Sequence, residues 1–138
     1  MMQDVLASFF QHAAITSGIT VRVAVNFMPD QSRTAARRGF WVYHLRIENH
    51  RDDTVRLLAR HWRITDSRGI VNIVDGEGVV GETPVLAPRA THDYVSGCEL
   101  TTNMGSMEGH YTFAREDGSR FEVAIPFFPL AAPATALE

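Results

Sequence analysis

Apolar and polar residues alternate along much of this chain, the period of a β-strand with one face buried and the other wet. Over 19–28, Ile19, Val21, Val23, Val25 and Phe27 share one face, with Thr20, Arg22 and Asn26 on the other. A polar loop over 29–38 follows. Beyond Gly39, Trp41, Tyr43, Leu45 and Ile47 alternate with Val42, His44, Arg46 and Glu48. After a polar turn at 49–53, the segment 55–66 sets Leu58, Trp62 and Ile64 against His61, Arg63 and Thr65. Asp66-Ser67-Arg68-Gly69 then makes a tight turn, and 70–74 returns as the second arm of a hairpin. The two prolines of Pro84-Val85-Leu86-Ala87-Pro88 exclude both a regular helix and a central strand. Strands over 91–95, 110–114 and 120–125 complete the set. The last two are joined through Asp117-Gly118, a strong hairpin signal, and Ile125-Pro126 is expected to end the final strand.

Seven to eight short strands, with no convincing helix after residue 18, predict an all-β fold. The favoured form is an immunoglobulin or fibronectin type III-like antiparallel β-sandwich; a small closed barrel is the competing solution. The sandwich is expected over 19–130. Residues 1–18 read as an N-terminal arm or short helix, because Leu6, Phe9, Phe10 and Ala13 share one face at helical spacing. The Ala/Pro-rich 131–138 reads as a disordered tail.

Composition narrows the function classes. A chain of 138 residues, 45% hydrophobic and 21% charged, fits one packed domain. A net charge of −3 lacks the basic excess that nucleic acid or an anionic membrane surface requires. No apolar run approaches the roughly 20 residues needed to span a bilayer. Cys98 is the only cysteine, so no intrachain disulfide forms, which suits a reducing, cytoplasmic setting.

Candidate chemistry is sparse. Gly76-Glu77-Gly78-Val79-Val80-Gly81 spells G-x-G-x-x-G, but a dinucleotide site needs a helix to open directly after the glycines. Here Pro84 and Pro88 forbid it, and Asp75, Glu77 and Glu82 surround the loop with charge that repels phosphate. Those glycines read instead as a structural loop using positive φ and close backbone approach. The same three carboxylates are weak candidates for a hard cation, without an EF-hand pattern. None of the six histidines is paired at ligand spacing, although His61 and His110 face outward on their strands and are possible neighbours. Cys98 reads as a small buried hydrophobe. Ser106 directly follows Gly105, so the nucleophile-elbow spacing is absent. No catalytic residue, metal or cofactor is assigned, and the chain is read as a non-enzyme.

Five segments, in this order, resemble the ApaG family: Arg60-His61-Trp62-Arg63-Ile64-Thr65-Asp66; Gly76–Glu82 with Pro84-Val85-Leu86; Ser96-Gly97-Cys98; Gly105-Ser106-Met107-Glu108-Gly109-His110-Tyr111; and Ile125-Pro126-Phe127-Phe128. The match covers about 19–130. The resemblance implies a fibronectin type III-like sandwich and a small stand-alone bacterial protein, and it carries the family's link to cobalt tolerance and Mg²⁺ efflux. Related domains inside a eukaryotic F-box protein and a polymerase-delta-interacting protein look like protein-interaction modules. A chain without a membrane span cannot itself carry ions across a bilayer, so any efflux role is indirect.

The resulting expectation is a binding module for an unidentified protein partner. Arg60, His61, Trp62, Glu82, Met107, Glu108 and His110 are expected to form one exposed patch, since Arg, His and aromatic groups are common interface anchors. The alternative is a sensor that binds a small ligand, divalent cation or nucleotide at the loop of Gly76, Gly78 and Gly81. Exposed edge strands also make a homodimer an expectation.

Overall fold

The alternating segments form nine strands in a computed structural model that describes residues 9–133. In chain order they are β1 (His12–Thr16), β2 (Ile19–Phe27), β3 (Gly39–Asn49), β4 (Val55–Asp66), β5 (Val71–Glu77), β6 (Val85–Leu86), β7 (Thr91–Leu100), β8 (Met104–Arg115) and β9 (Arg120–Ala131). Every pairing is antiparallel. The first sheet runs β1-β2-β3-β7 and the second β5-β4-β8-β9, with β6 on the same edge of β4 as β5. Facing side chains from both sheets make one core, including Val21, Trp41, Leu45, Leu57, Trp62 and Phe128. This is the expected sandwich.

Several boundaries differ from the expectation, β7 and β8 among them, since they run longer than 91–95 and 110–114 and meet at the turn after Leu100. Residues 12–16, read as the end of an arm or helix, are strand β1, paired with β2 from His12↔Val23 to Thr16↔Ile19. The short run His12-Ala13-Ala14-Ile15-Thr16 has too few large residues to show its period. Just before it, Phe10 is buried and its ring meets His44 edge-on at 5.0 Å, so this part of the arm lies against the first sheet. Positions before residue 9, and the tail from residue 134, fall outside the described residues. Finally, β9 does not stop at Pro126 but continues to Ala131. A proline is tolerated on an edge strand, where its missing N–H can face away from the partner.

Two irregularities decide which way side chains point. On β4, Val55 and Leu57 face the core, and so does Trp62, an odd number of residues further on. Strict alternation forbids this, and a bulge between Leu57 and Ala59 absorbs the extra residue. On β9, the buried set moves from Val123 and Ile125 to Phe128 and Leu130. The pairing with β8 shifts between Met107 and Gly109, which places the extra residue at Pro126-Phe127.

The outer face of the first sheet holds a buried carboxylate. Glu48 is 5% exposed and accepts hydrogen bonds from Arg22 Nε (2.9 Å) and Arg46 Nε (3.1 Å), and pairs with His50 Nε2 (2.9 Å). Burial pushes its pKa up, but the bonds from Arg22, His50 and Arg46 and the Arg22 charge outweigh that and hold it below the usual carboxylate value. A carboxyl with a lowered folded pKa stabilises the fold above its unfolded pKa and loses that contribution as pH falls through the folded one. Glu48→Gln is therefore expected to cost about 1–3 kcal/mol at neutral pH. The gap to wild type should close as pH is lowered below the ordinary carboxylate range, read by urea denaturation at a series of pH values. A pH-independent gap would show that the charge of Glu48 does not stabilise the fold.

Candidate interaction site at the open edge of the second sheet

The bulge at Leu58 turns Arg60, Trp62 and Ile64 inward and leaves His61, Arg63 and Thr65 outside. Leu58, expected on the face of Trp62 and Ile64, is displaced by that same bulge, and its carbonyl accepts a bond from Gly78 N (2.7 Å). Arg60 is half-buried. Its Nη1 donates to the carbonyls of Glu77 and Gly78, both at 3.0 Å. Its guanidinium lies against Gly76, where an added Cβ would come within 2.5 Å of Arg60 Cζ.

Each glycine of the G-x-G-x-x-G run thus answers a separate demand. Gly76 makes room for Arg60. Gly78 sits at φ +62°, and a Cβ there would collide with the Glu82 carbonyl. Gly81 (φ +77°) and Val80 (φ +48°) are the central residues of a tight turn from Val79 to Glu82, closed by bonds of 2.8 and 3.0 Å. Both central residues have positive φ, as a type I′ turn requires. A two-residue strand, β6, follows the loop, and no helix does.

Inside this edge lies a cleft of about 320 Å³ between the two sheets, lined by Tyr43, Arg60, Ile64, Val74, Ser96 and Met107 among others. Cys98 also lines it, and burial pushes its thiol up to about 11, so it stays protonated and unreactive at neutral pH. The hydroxyls of Tyr94 and Tyr111 bond to each other, and burial raises both phenols above their ordinary value.

On the outer face, His61 and His110 are register partners with rings stacked 4.7 Å apart at 19°. His61 Nδ1 meets Asp75 Oδ1 at 2.6 Å, and His110 Nε2 lies 3.6 Å from Glu122 Oε1. Glu108 is exposed on the same face, opposite Arg63. Glu82, at the turn after Gly81, lies 3.9 Å from His92 on β7.

The seven residues expected in one patch therefore occupy different environments. Trp62 is 3% and Met107 1% exposed, both in the core. Their size and apolarity serve packing between the two sheets. Arg60 faces the cleft, His61, Glu108 and His110 share the outer face, and Glu82 stands at the loop. Among the described residues, no three His, Cys, Asp or Glu side chains are placed to hold a metal ion, so Asp75, Glu77 and Glu82 do not converge. No helix among them is long and apolar enough to cross a membrane.

The feature not anticipated is β5. Among the described residues it pairs only with β4 and no strand lies along its other edge, and Ile70, Val71, Ile73 and Val74 are all exposed, with Ile73 at 51%. A short strand with aliphatic residues at both parities reads as burial on both faces; here Val71 and Ile73 on one face and Val74 on the other are all exposed, around the polar Asn72.

The model of the family described as "ApaG domain" matches residues 29–115. The chain belongs to the ApaG family. An ApaG protein of Brucella suis is 46% identical over 122 residues, 88% of this chain and 94% of the relative. One of Methylobacterium is 47% identical over the same shares. A solved structure of an ApaA protein from Bordetella pertussis superposes with a TM-score of 0.81 at 41% identity, covering 84% of this chain and 94% of that one. The C-terminal domain of wzt, at 7% identity and a TM-score of 0.53, shares the fold alone. The ApaG match thus spans β4, the glycine loop and β8, the elements that build the edge and its cleft.

Proposed function

We propose that this ApaG-family chain is a non-catalytic interaction module that takes an extended segment of a partner protein onto the free edge of β5. The observation that carries this reading is the exposed aliphatic edge: Ile70, Val71, Ile73 and Val74 lie on a strand whose outer edge has no strand partner among the described residues. Soluble folds usually protect such an edge with charge, proline or a covering loop. Strand addition supplies backbone hydrogen bonds for affinity and side-chain pockets for specificity. The outer face offers the added strand polar neighbours in Arg63 and Glu108, and the inner side offers the cleft.

The test is affinity capture combined with amide hydrogen exchange. A partner retained by the wild-type chain should slow exchange at 71–77, and Ile73→Lys, which puts a charge on the edge without touching the core, should abolish retention. Retention undiminished by Ile73→Lys, or protection confined to other strands, overturns the reading, as does the absence of any retained partner.

A further inference from the structure

Resting on that strand-addition reading, we infer that the incoming segment carries an acidic side chain and, two residues later, an aliphatic one, the first bound by Arg60 and the second filling the inter-sheet cleft. A strand added to β5 would lie roughly 4.8 Å from it and send alternate side chains to the inner side of the sheet. The inner positions of β5 are Asn72, Val74 and Gly76, opposite Ile64, Trp62 and Arg60 of β4. Inward side chains of the added strand therefore enter the cleft between β5 and β7, which is about 320 Å³ and holds no side chain of its own.

That cleft has two chemically distinct ends. Around Val74 it is walled by Ile64, Met107 and Cys98, which suits an aliphatic group. At the level of Gly76 stands Arg60. Its Nη1 is occupied by the Glu77 and Gly78 carbonyls, while Nε and Nη2 make no hydrogen bond among the described residues. Tyr43 and Ser96 line the cleft beside it.

Among the described residues, no carboxylate competes from the inner side. Asp75 is turned outward onto His61 at 2.6 Å, Glu77 is its neighbour on that same outer face, and Glu99 at the rim is engaged by Arg38 at 3.2 Å. A guanidinium with free N–H groups in a part-buried cleft favours a carboxylate partner, by charge and by geometry. Successive inward side chains are two residues apart, which matches the step from Gly76 to Val74. Antiparallel pairing is the commoner kind. It runs the segment from the Arg60 end toward the Ile64 end, so the acidic residue precedes the aliphatic one.

Synthetic ten-residue peptides of alternating pattern, fluorescein-labelled and titrated with the full chain, test this by anisotropy. The series compares Glu-x-Leu with Gln-x-Leu, Glu-x-Ser and Leu-x-Glu. The Glu-x-Leu peptide should bind roughly tenfold tighter than Gln-x-Leu, the worth of one charge-assisted bond. That ratio should fall to about one in Arg60→Gln. A ratio of two dissociation constants is insensitive to a modest loss of fold in the variant. Should Arg60→Gln not fold, the wild-type ratio at low and high salt decides, because the preference must shrink as salt rises. Equal affinity for the Glu and Gln peptides, or a preference for Leu-x-Glu, overturns the inference while leaving strand addition standing if β5 amides are protected. Failure of every peptide to bind or to protect β5 overturns both.

Discussion

Trp62→Ala is expected to destabilise the chain by about 3–5 kcal/mol, the range for emptying an aromatic site in a packed core. The indole is 3% exposed, meets Phe128 edge-on at 6.0 Å and 90°, and lies 5.6 Å from Tyr43. Its ring thus joins β4 of one sheet to β3 of the other, and its removal leaves a void at the contact between them. Urea denaturation gives the value, and Trp62→Phe should fall between the two. A loss under about 1 kcal/mol would mean that the side chain faces solvent and can serve as an interface anchor after all. A fall in partner binding by Trp62→Ala is uninformative unless the folded fraction is measured alongside.

Gly109→Ala should be similarly damaging, about 3 kcal/mol, at the upper end of the usual cost of overpacking. Gly109 lies opposite Trp62 in the β4–β8 ladder. A Cβ there would collide with the backbone carbonyl of His61, with no flexible side chain to give way. β8 must then move off β4, and the stack of His61 on His110 goes with it. Gly118→Ala is the control. Gly118 has φ +84° in the β8–β9 turn and nothing within 4 Å of an added Cβ, so only the backbone cost of about 1 kcal/mol applies. Comparable losses at the two positions would show that the β4–β8 approach is looser than described.

Much of the sandwich can be read from alternation alone, because β2 and β3 place their large apolar residues on one face and mostly polar ones on the other, even where Thr20, Ala24 and Glu48 on that second face are covered. The β8–β9 hairpin is equally legible from Asp117-Gly118, where a positive φ is needed. What escapes is whatever breaks the period. A single extra residue at Leu58 reverses the assignment of Leu58 relative to Trp62, and nothing in the local sequence announces it, since the bulge depends on how β4 meets β8. The prolines of β9 signal a strand end when read locally, whereas their tolerance depends on the strand lying at an edge.

The candidate site shows the same division. The outward pair His61 and His110 is accessible to parity reasoning, and the stack follows from register. Arg60 as a cleft residue is not, because a charged residue beside an aromatic one reads as surface until both are known to face inward. The aliphatic run of β5 carries no mark that separates a strand buried on both faces from one exposed on both; only the absence of a neighbour beyond it makes the distinction.

The second sheet ends in two unlike borders. β5 is open and aliphatic, whereas β9 carries Pro126 and Pro129 and is bent by a bulge. Addition to this sheet can therefore proceed on one side only. A segment that docks on β5 cannot be followed by another molecule docking on β9, so the sheet does not propagate into a head-to-tail polymer. Complexes formed through this sheet should saturate at one segment per chain, however high the segment's concentration.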